Sequence, residues 1–233
     1  MPTFQYSPPI IEKFPQVVGG VILAQGLTNP PTSDELYQRY LAEQTAVKTR
    51  IGETPLSELE SLAAWRKTFS AFGVSPTGYR SAAEALLRRL TKKGDIPIIN
   101  TLVDIGNLVS IRYGLPVAIF DRRQINGVVT VHLADGTEQY IELDNAEVLH
   151  PEVGEVVFSD TQKMVIARRW CWRQSATSAA TEYTTDAIVT VESQHVGGQA
   201  DVEKAIAELL ELFNTYAGGS FKSSILTAGN PAI

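Results

Sequence analysis

The chain has 233 residues, a length that suits one sizeable domain with its own hydrophobic core. Hydrophobic residues make up 44% and charged residues 20% of it, which excludes a wholly disordered chain. The net charge of −6 argues against a general attraction to nucleic acid, and a single cysteine excludes an internal disulfide. We therefore expect a cytoplasmic location.

The charge is unevenly distributed along the chain. Between Arg66 and Arg173 there are 14 basic and 12 acidic residues, whereas the flanking segments hold 6 basic and 14 acidic ones. Affinity for phosphates depends on a local patch more than on the total charge. A net charge of +2 over this stretch is a weak signal, and by itself it favours an ordinary mixed surface. No apolar run approaches the roughly 20 residues of a membrane helix, so we expect no membrane contact.

The first half of the chain is predicted to be mainly helical. Val17 to Ala24 is apolar and β-branched, which predicts a buried strand. Ser33 followed by two acidic residues is typical of a helix start, and glycines follow three of the helical patterns at their expected ends. These signals predict helices over residues 34–48, 56–72, 81–93 and 99–113.

The second half changes to short β-rich runs and ends in another helix. Strands are predicted at 127–133, 138–143, 155–159, 164–167 and 187–192, and a helix at 201–216. Residues 220–233 are mixed in character, and we expect a loose tail there. Because helices and strands do not alternate regularly, the sequence predicts a single α+β domain over 1–233, with a mixed or antiparallel sheet flanked by helices.

One polar stripe interrupts the apolar helix at 99–113. Asp104, Asn107 and Ser110 are spaced three apart, so they share one helical face. Polar groups in such a position are costly to bury unless they are paired. They either cross-link neighbouring elements or line a pocket.

A second segment, 165–185, is rich in Arg, Trp, Ser and Thr. Arg168, Arg169 and Arg173 could hold phosphate, and Trp170 and Trp172 could stack on a base or wall a pocket. The alternative is a solvated basic loop over a tryptophan-bearing core. The basic residues late in the 81–93 helix are explained by the helix dipole without any ligand.

Several familiar catalytic and cofactor patterns are missing. The sequence has no glycine-rich phosphate loop and no G-x-S-x-G nucleophile elbow. His132, His150 and His195 lack metal-ligand spacing, and Cys171 has no identifiable activating partner. We therefore expect neither a metal nor a cofactor.

Taken together, these segments resemble the B3/B4 tRNA-editing domain of the phenylalanyl-tRNA synthetase beta subunit, and more closely its free-standing relatives. The resemblance spans roughly 79–192. It rests on Tyr79-Arg80 and Leu86 to Arg89, on Val103, Asp104, Asn107, Val109, Pro116, Phe120 and Asp121, on His150, Pro151, Gly154 and Glu155, and on Arg168 to Arg173.

The resemblance implies a pocket that hydrolyses the ester of a mischarged aminoacyl-tRNA. Such an ester is already activated, so hydrogen bonds that place a water and stabilise the oxyanion suffice, assisted by a ribose hydroxyl. It implies tRNA, through its aminoacylated acceptor end, as the partner; no DNA is expected. The implied roles are catalytic for Asn107 and Gln174; pocket-lining for Asp104, Gly106, Ser110, Ala118, Trp170, Thr177 and Ser178; and tRNA-binding for Arg80, Arg168, Arg169 and Arg173.

The chain departs from the synthetase pattern inside this pocket. Gly106 stands where the synthetase has a threonine, Ala118 where it has a histidine, and Gln174 near a pocket glutamate. Tyrosine specificity is therefore not expected to carry over. Two further hypotheses stay open, namely a non-catalytic module that binds tRNA or an amino acid, and a hydrolase acting on a non-tRNA amino-acid derivative.

Overall fold

The computed structural model describes residues 2–143 and 147–233. Within this part, no helix is long and apolar enough to cross a membrane. Its helices are α1 (Pro8–Lys13), α2 (Asp34–Ile51), α3 (Glu60–Ala71), α4 (Ala82–Lys93), α5 (Thr101–Tyr113) and α6 (Gly198–Tyr216). Its strands are β1 (Phe4–Tyr6), β2 (Val18–Gln25), β3 (Val117–Asp121), β4 (Val129–Leu133), β5 (Tyr140–Ile141), β6 (Val148–Leu149), β7 (Val156–Ser159), β8 (Val165–Arg168), β9 (Arg173–Gln174), β10 (Asp186–Ser193) and β11 (Ser220–Leu226).

The strands form two main sheets and one small pair. One sheet has the order β1-β4-β7-β8-β9, in which only the β1–β4 pairing is parallel. The other has the order β11-β2-β10-β3 and is antiparallel throughout. β5 and β6 pair with each other. The predicted α+β class with mixed and antiparallel sheets is confirmed.

Two hydrophobic cores support these sheets. In the first, side chains of α2, α4, α5 and α6 pack on the four-stranded sheet. Helix α6 approaches β2 so closely that a Cβ atom at Gly20 would lie 2.5 Å from the Ile206 side chain. The second core is aromatic, and it joins α1 and α3 to both sheets through Phe4, Trp65, Phe120, Phe158 and Trp170.

The predicted helices are confirmed apart from one that is divided, and side-chain caps mark the start of three of them. The Ser33 Oγ accepts the Leu36 N–H, and Ser81 and Asn100 cap α4 and α5 in the same way. The predicted 56–72 helix is divided, because Leu59 is extended and separates a 3-10 turn at Leu56–Glu58 from α3.

The N-terminal segment and the C-terminal tail contain elements that the sequence patterns did not indicate. They include β1, α1 and β11, and the expected loose tail is wrong for 220–226. There β11 pairs along its length with β2, from Ser220 opposite Gln25 to Leu226 opposite Gly19. Farther on, the Ile233 carbonyl accepts the Thr3 N–H, so the last described residue lies beside β1.

Candidate functional site

A cavity of about 280 Å³ lies between α5, β3 and the segment that follows β9. It brings together the two stretches of sequence that were singled out above, since Asn107 comes from one and Gln174 from the other. The walls are mainly apolar, and Ile99 and Leu143 are more than half exposed there. The lining residues are Ile99, Val103, Gly106, Asn107, Val117, Ala118, Ile119, Leu143, Gln174, Ala179 and Ala180.

Gly106 lets α5 lie close to β3 at this point. A Cβ atom at this position would be 3.1 Å from Cδ1 of Ile119 and 3.5 Å from Cγ1 of Val117. The threonine expected in the synthetase pocket would therefore crowd Ile119. The glycine instead leaves the half-buried Asn107 as the polar side chain that α5 contributes to the cavity.

The Gln174 amide has a fixed orientation. Its Nε2 donates to the carbonyl oxygens of Ile119 at 2.8 Å and of Ser178 at 2.9 Å. Because both partners can only accept, the amide nitrogen must lie on that side. The Oε1 accepts no hydrogen bond from the described residues, so an acceptor is left for a ligand or a water. Gln174 thus also holds β3 to the segment after β9.

Asp104 and Ser110 do not line this cavity, although they share a helical face with Asn107. Asp104 is fully buried and accepts hydrogen bonds from the Thr32 hydroxyl and the Ile99 N–H. Burial raises the pKa of Asp104, and these hydrogen bonds oppose the rise. The Ser110 hydroxyl donates to the Leu115 carbonyl at 2.7 Å. Both side chains cross-link neighbouring segments, which was the alternative prediction for this stripe.

Thr177 and Ser178 also lie outside the set of cavity-lining residues. The Thr177 hydroxyl is 3.0 Å from the Ser175 hydroxyl, in a short 3-10 turn at Ala176–Ser178. The Ser178 side chain is buried, and its contribution is the backbone carbonyl that holds Gln174. The residues that follow, Ala179 and Ala180, form the wall instead.

A smaller chamber of about 80 Å³ adjoins the cavity and shares Val117, Ala118 and Gln174 with it. Aromatic rings form much of its wall, including Trp170 and Trp172. Its polar groups come mainly from the end of β10 and from the loop before β9. They are Thr190, Glu192, Cys171 and Arg173, together with the shared Gln174.

Glu192 is the acid that lines this chamber, and it has a raised pKa. Its Oε1 accepts hydrogen bonds from the Tyr6 hydroxyl at 2.6 Å and from the Trp170 indole N–H at 2.9 Å. Burial raises the pKa of Glu192 to about 7, although these two hydrogen bonds favour the charged form. Burial, together with Glu192, also raises the pKa of the Cys171 thiol, so this cysteine is not an activated nucleophile.

The loop between β8 and β9 has an unusual backbone. Arg169 and Trp170 both have positive φ, at 46° and 61°, a conformation that costs about 1–2 kcal/mol per non-glycine residue. Trp170 is completely buried and packs against Phe14 and Trp65, with ring centroids 5.0 and 5.4 Å apart. It therefore walls the chamber and cannot stack on a base in solvent.

Arg168 and Arg169 are placed differently from the prediction. Arg168 is 7% exposed and makes a bidentate ion pair with Glu155, at 2.8 and 2.9 Å. Arg169 is equally buried and lies over the Tyr79 ring, 3.9 Å from its centroid. The prediction that both face tRNA phosphates is therefore corrected, because a buried carboxylate and aromatic rings already surround the two guanidinium groups.

A basic groove of about 540 Å³ lies on the other side of this loop. Arg80 and Arg173, which the resemblance implies to bind tRNA, line it together with the basic residues of α4. Arg173 contacts Glu142 and Trp172, whereas Arg88, Lys92 and Lys93 make no ion pair with any described residue. The groove residues are Gly78, Arg80, Ala85, Arg88, Arg89, Lys92, Lys93, Trp172 and Arg173.

The groove gives the α4 cations a second explanation beside the helix dipole. Arg88 and Lys92 are four residues apart on one helical face, and both are exposed. The sequence alone could not show that Arg80 and Arg173 would extend this row. Arg173 and Gln174 are neighbours in β9, and they connect the groove to the cavity.

The histidines take part in local hydrogen bonds. His132 bonds to Ser159 at 2.7 Å, His150 to the Glu138 carbonyl at 2.7 Å, and His195 to Ser193 at 2.8 Å. No cluster of three or more His, Cys, Asp or Glu side chains suited to a metal ion occurs within residues 2–143 and 147–233.

Comparison with known proteins gives a consistent family assignment. A 109-residue segment is 27% identical to the phenylalanine--tRNA ligase beta subunit of Shewanella oneidensis and covers 47% of this chain and 14% of that subunit. A 182-residue alignment is 29% identical to the beta subunit of Staphylococcus saprophyticus and covers 69% of this chain and 23% of the subunit. The chain thus matches less than a quarter of these relatives' length.

A solved structure is also similar. An N-terminal fragment of the phenylalanyl-tRNA synthetase beta subunit from Pyrococcus horikoshii aligns over 94% of this chain and 50% of its own, with a TM-score of 0.46 and 12% identity. The profile of the B3/4 domain family matches residues 64–218, about two thirds of the chain. The chain therefore belongs to the B3/4 domain family.

Proposed function

We propose that this protein hydrolyses the ester of a mischarged aminoacyl-tRNA in trans. The observation that carries the proposal is the cavity in which Asn107 and Gln174 face the same space, one strand residue away from a basic groove. The family relation to a tRNA synthetase subunit supports a tRNA-related role. We expect the protein to act in the cytoplasm.

The cavity offers the hydrogen bonds that hydrolysis of an activated ester needs. The Asn107 amide can both donate and accept, and the free Oε1 of Gln174 can accept from a water or from the substrate α-ammonium group. The water oxygen forms a new bond to the acyl carbon, and the bond to the ribose oxygen breaks. That ribose oxygen takes a water proton. The side chains position the reactants and stabilise charge, with no covalent intermediate.

The basic groove would hold the phosphates near the acceptor end. Exposed Arg88 and Lys92 can approach a phosphate without first breaking an ion pair with a described residue, and Arg173 lies beside the cavity. Arg168 and Arg169 are excluded from this role because their guanidinium groups are buried. Local positive charge can act in this way even though the whole chain carries −6.

The test is deacylation of a panel of mischarged tRNAs by the purified protein. We expect at least one member to be hydrolysed, and Asn107→Ala to slow that reaction at least tenfold, which corresponds to about 1.4 kcal/mol of barrier. Asn214→Ala is the matched control, because Asn214 is an exposed asparagine on α6 whose side chain bonds, among the described residues, to the Leu210 carbonyl alone. Binding of tRNA with no hydrolysis of any member would contradict the proposal.

One observation favours a second candidate, a binding module without chemistry. Both amide hydrogens of Gln174 are committed to backbone carbonyls, and Ala118 provides no polar group where the synthetase has a histidine. A gel shift with tRNA that weakens steeply with salt, without turnover, would support this candidate. A thermal shift with free amino acids but no tRNA binding would indicate an amino-acid sensor instead. A hydrolase acting on a non-tRNA amino-acid derivative would require turnover of that derivative without tRNA.

A further inference from the structure

The small chamber beside the cavity contains a buried acid with one unused oxygen. Glu192 is 2% exposed, and its Oε1 already accepts two hydrogen bonds, from Tyr6 and Trp170. Its Oε2 accepts none from the described residues, and Glu192 lines the chamber. This oxygen is therefore available to a donor that enters the chamber.

Neighbouring groups make the chamber a polar end to an otherwise apolar site. Thr190 lies two residues before Glu192 on β10, so both side chains point to the same face of the sheet, and both line the chamber. Aromatic rings form much of the remaining wall, including those of Phe120, Phe158 and Trp170, and Arg173 also lines the chamber. A ligand group that enters here replaces its hydrogen bonds to water with hydrogen bonds to Thr190 and Glu192. Among the described residues, no other acid lines the chamber.

The chamber is also small. At about 80 Å³ it has roughly half the volume of the ~150 Å³ cavities that take up benzene, so it suits a group smaller than an aromatic ring. At about 30 Å³ for each water-sized group, it holds about three non-hydrogen atoms. Val117, Ala118 and Gln174 line both this chamber and the larger cavity, where the ester lies in the function proposed above.

We propose, on the basis of that function, that Glu192 recognises the side chain of the aminoacyl group. It selects short side chains that donate a hydrogen bond. Seryl and threonyl groups meet this requirement, as does a short side chain ending in an ammonium group. An alanyl group fits but leaves Oε2 unpaired, and a site built around a hydrogen bond strongly rejects an analogue that lacks it. Tyrosyl and phenylalanyl groups are excluded by size.

The test uses non-hydrolysable 3′-aminoacylamino-3′-deoxyadenosine analogues, so that binding is measured apart from hydrolysis. The seryl and alanyl analogues differ by one hydroxyl, and the 2,3-diaminopropionyl analogue carries the ammonium group. We expect calorimetry on the wild-type protein to give at least tenfold tighter binding of the seryl than of the alanyl analogue. The tyrosyl analogue should bind more weakly than the seryl one.

Two variants identify the responsible group. Glu192→Met removes the acceptor, and the preference for the seryl over the alanyl analogue should fall below threefold. Glu192→Gln replaces Oε2 by a donor, so binding of the ammonium analogue should weaken at least tenfold. The seryl hydroxyl can reverse its role and should lose less than threefold.

The inference is overturned if the wild-type protein binds the seryl and alanyl analogues equally, prefers the tyrosyl analogue, or binds none at millimolar concentration. It is also overturned if the preference survives in Glu192→Met. The wild-type comparison decides the matter even where a variant does not fold. Selective binding without deacylation supports this inference and contradicts the proposed hydrolysis. Hydrolysis at equal rates with and without a hydrogen-bond donor on the side chain supports the proposed hydrolysis and contradicts this inference.

Discussion

Replacing Glu192 by glutamine should change how the stability of the protein depends on pH. Burial raises the pKa of this carboxyl from 4.5 to about 7, so the native state binds its proton more tightly than the unfolded chain does. The contribution to stability is therefore complete below about pH 4.5 and is lost as the pH rises towards 7. At 1.36 kcal/mol per pKa unit, the loss is about 3 kcal/mol.

Glutamine resembles the protonated carboxyl and does not titrate, so Glu192→Gln should escape this loss. Urea unfolding at pH 5 and pH 8 measures the unfolding free energy of both proteins. The difference in unfolding free energy between variant and wild type should change by about 2.5 kcal/mol in favour of the variant from pH 5 to pH 8. The contributions of the other titrating groups cancel in this difference, because both proteins contain the same groups.

Glu53→Gln is a suitable control, because Glu53 is exposed and its substitution should leave the pH dependence unchanged. A movement of less than about 1 kcal/mol for Glu192→Gln would refute the reasoning, since the carboxylate would then be solvated in the native protein. The same result would argue against a chamber that shields Glu192 from water.

Two further predictions concern the arginines and lysines. Affinity for tRNA should fall less steeply with salt in the double variant Arg88→Ala, Lys92→Ala. The magnitude of the slope of log affinity against log salt should decrease by about 0.7–0.9 for each phosphate that is no longer neutralised. The control double variant Lys204→Ala, Lys222→Ala should keep the wild-type slope, and an unchanged slope in the first variant would show that tRNA binds elsewhere. Arg168→Met should cost about 3–5 kcal/mol in urea unfolding, because it leaves the buried Glu155 carboxylate without its bidentate partner. A loss under about 1 kcal/mol would show that the native state does not depend on this ion pair.

The helices were predictable because local signals determine them. Ser33, Ser81 and Asn100 each cap the helix that follows, and apolar periodicity fixes the buried faces. The strand β11 was not predictable, since it is an edge strand with an irregular exposure pattern that forms only because β2 offers it a partner. The strand β3 was also missed, because a continuous apolar run of this length shows no alternation that would identify it as a strand.

The site was partly predictable. Asn107 and Gln174 were identified from motif resemblance, and they line one cavity. The Arg168–Arg169 pair was misassigned because an arginine-rich run does not show that Glu155, thirteen residues earlier in the chain, lies against it. Glu192 was passed over as the last residue of a predicted strand. The sequence feature that could have identified it is a single acidic residue in an apolar strand, because a carboxylate is costly to bury unless it is paired.

The bond from Tyr6 to Glu192 bears on what the smallest working fragment could be. Residues 64–218 carry the family match, yet Tyr6 comes from β1 and β10 pairs with β2, both upstream of that range. A fragment cut at those limits would leave β10 with an open edge and would strip one donor from the buried carboxylate. If such a fragment showed no activity, the cause would be an incompletely formed chamber, and the result would say nothing about the activity of the whole chain.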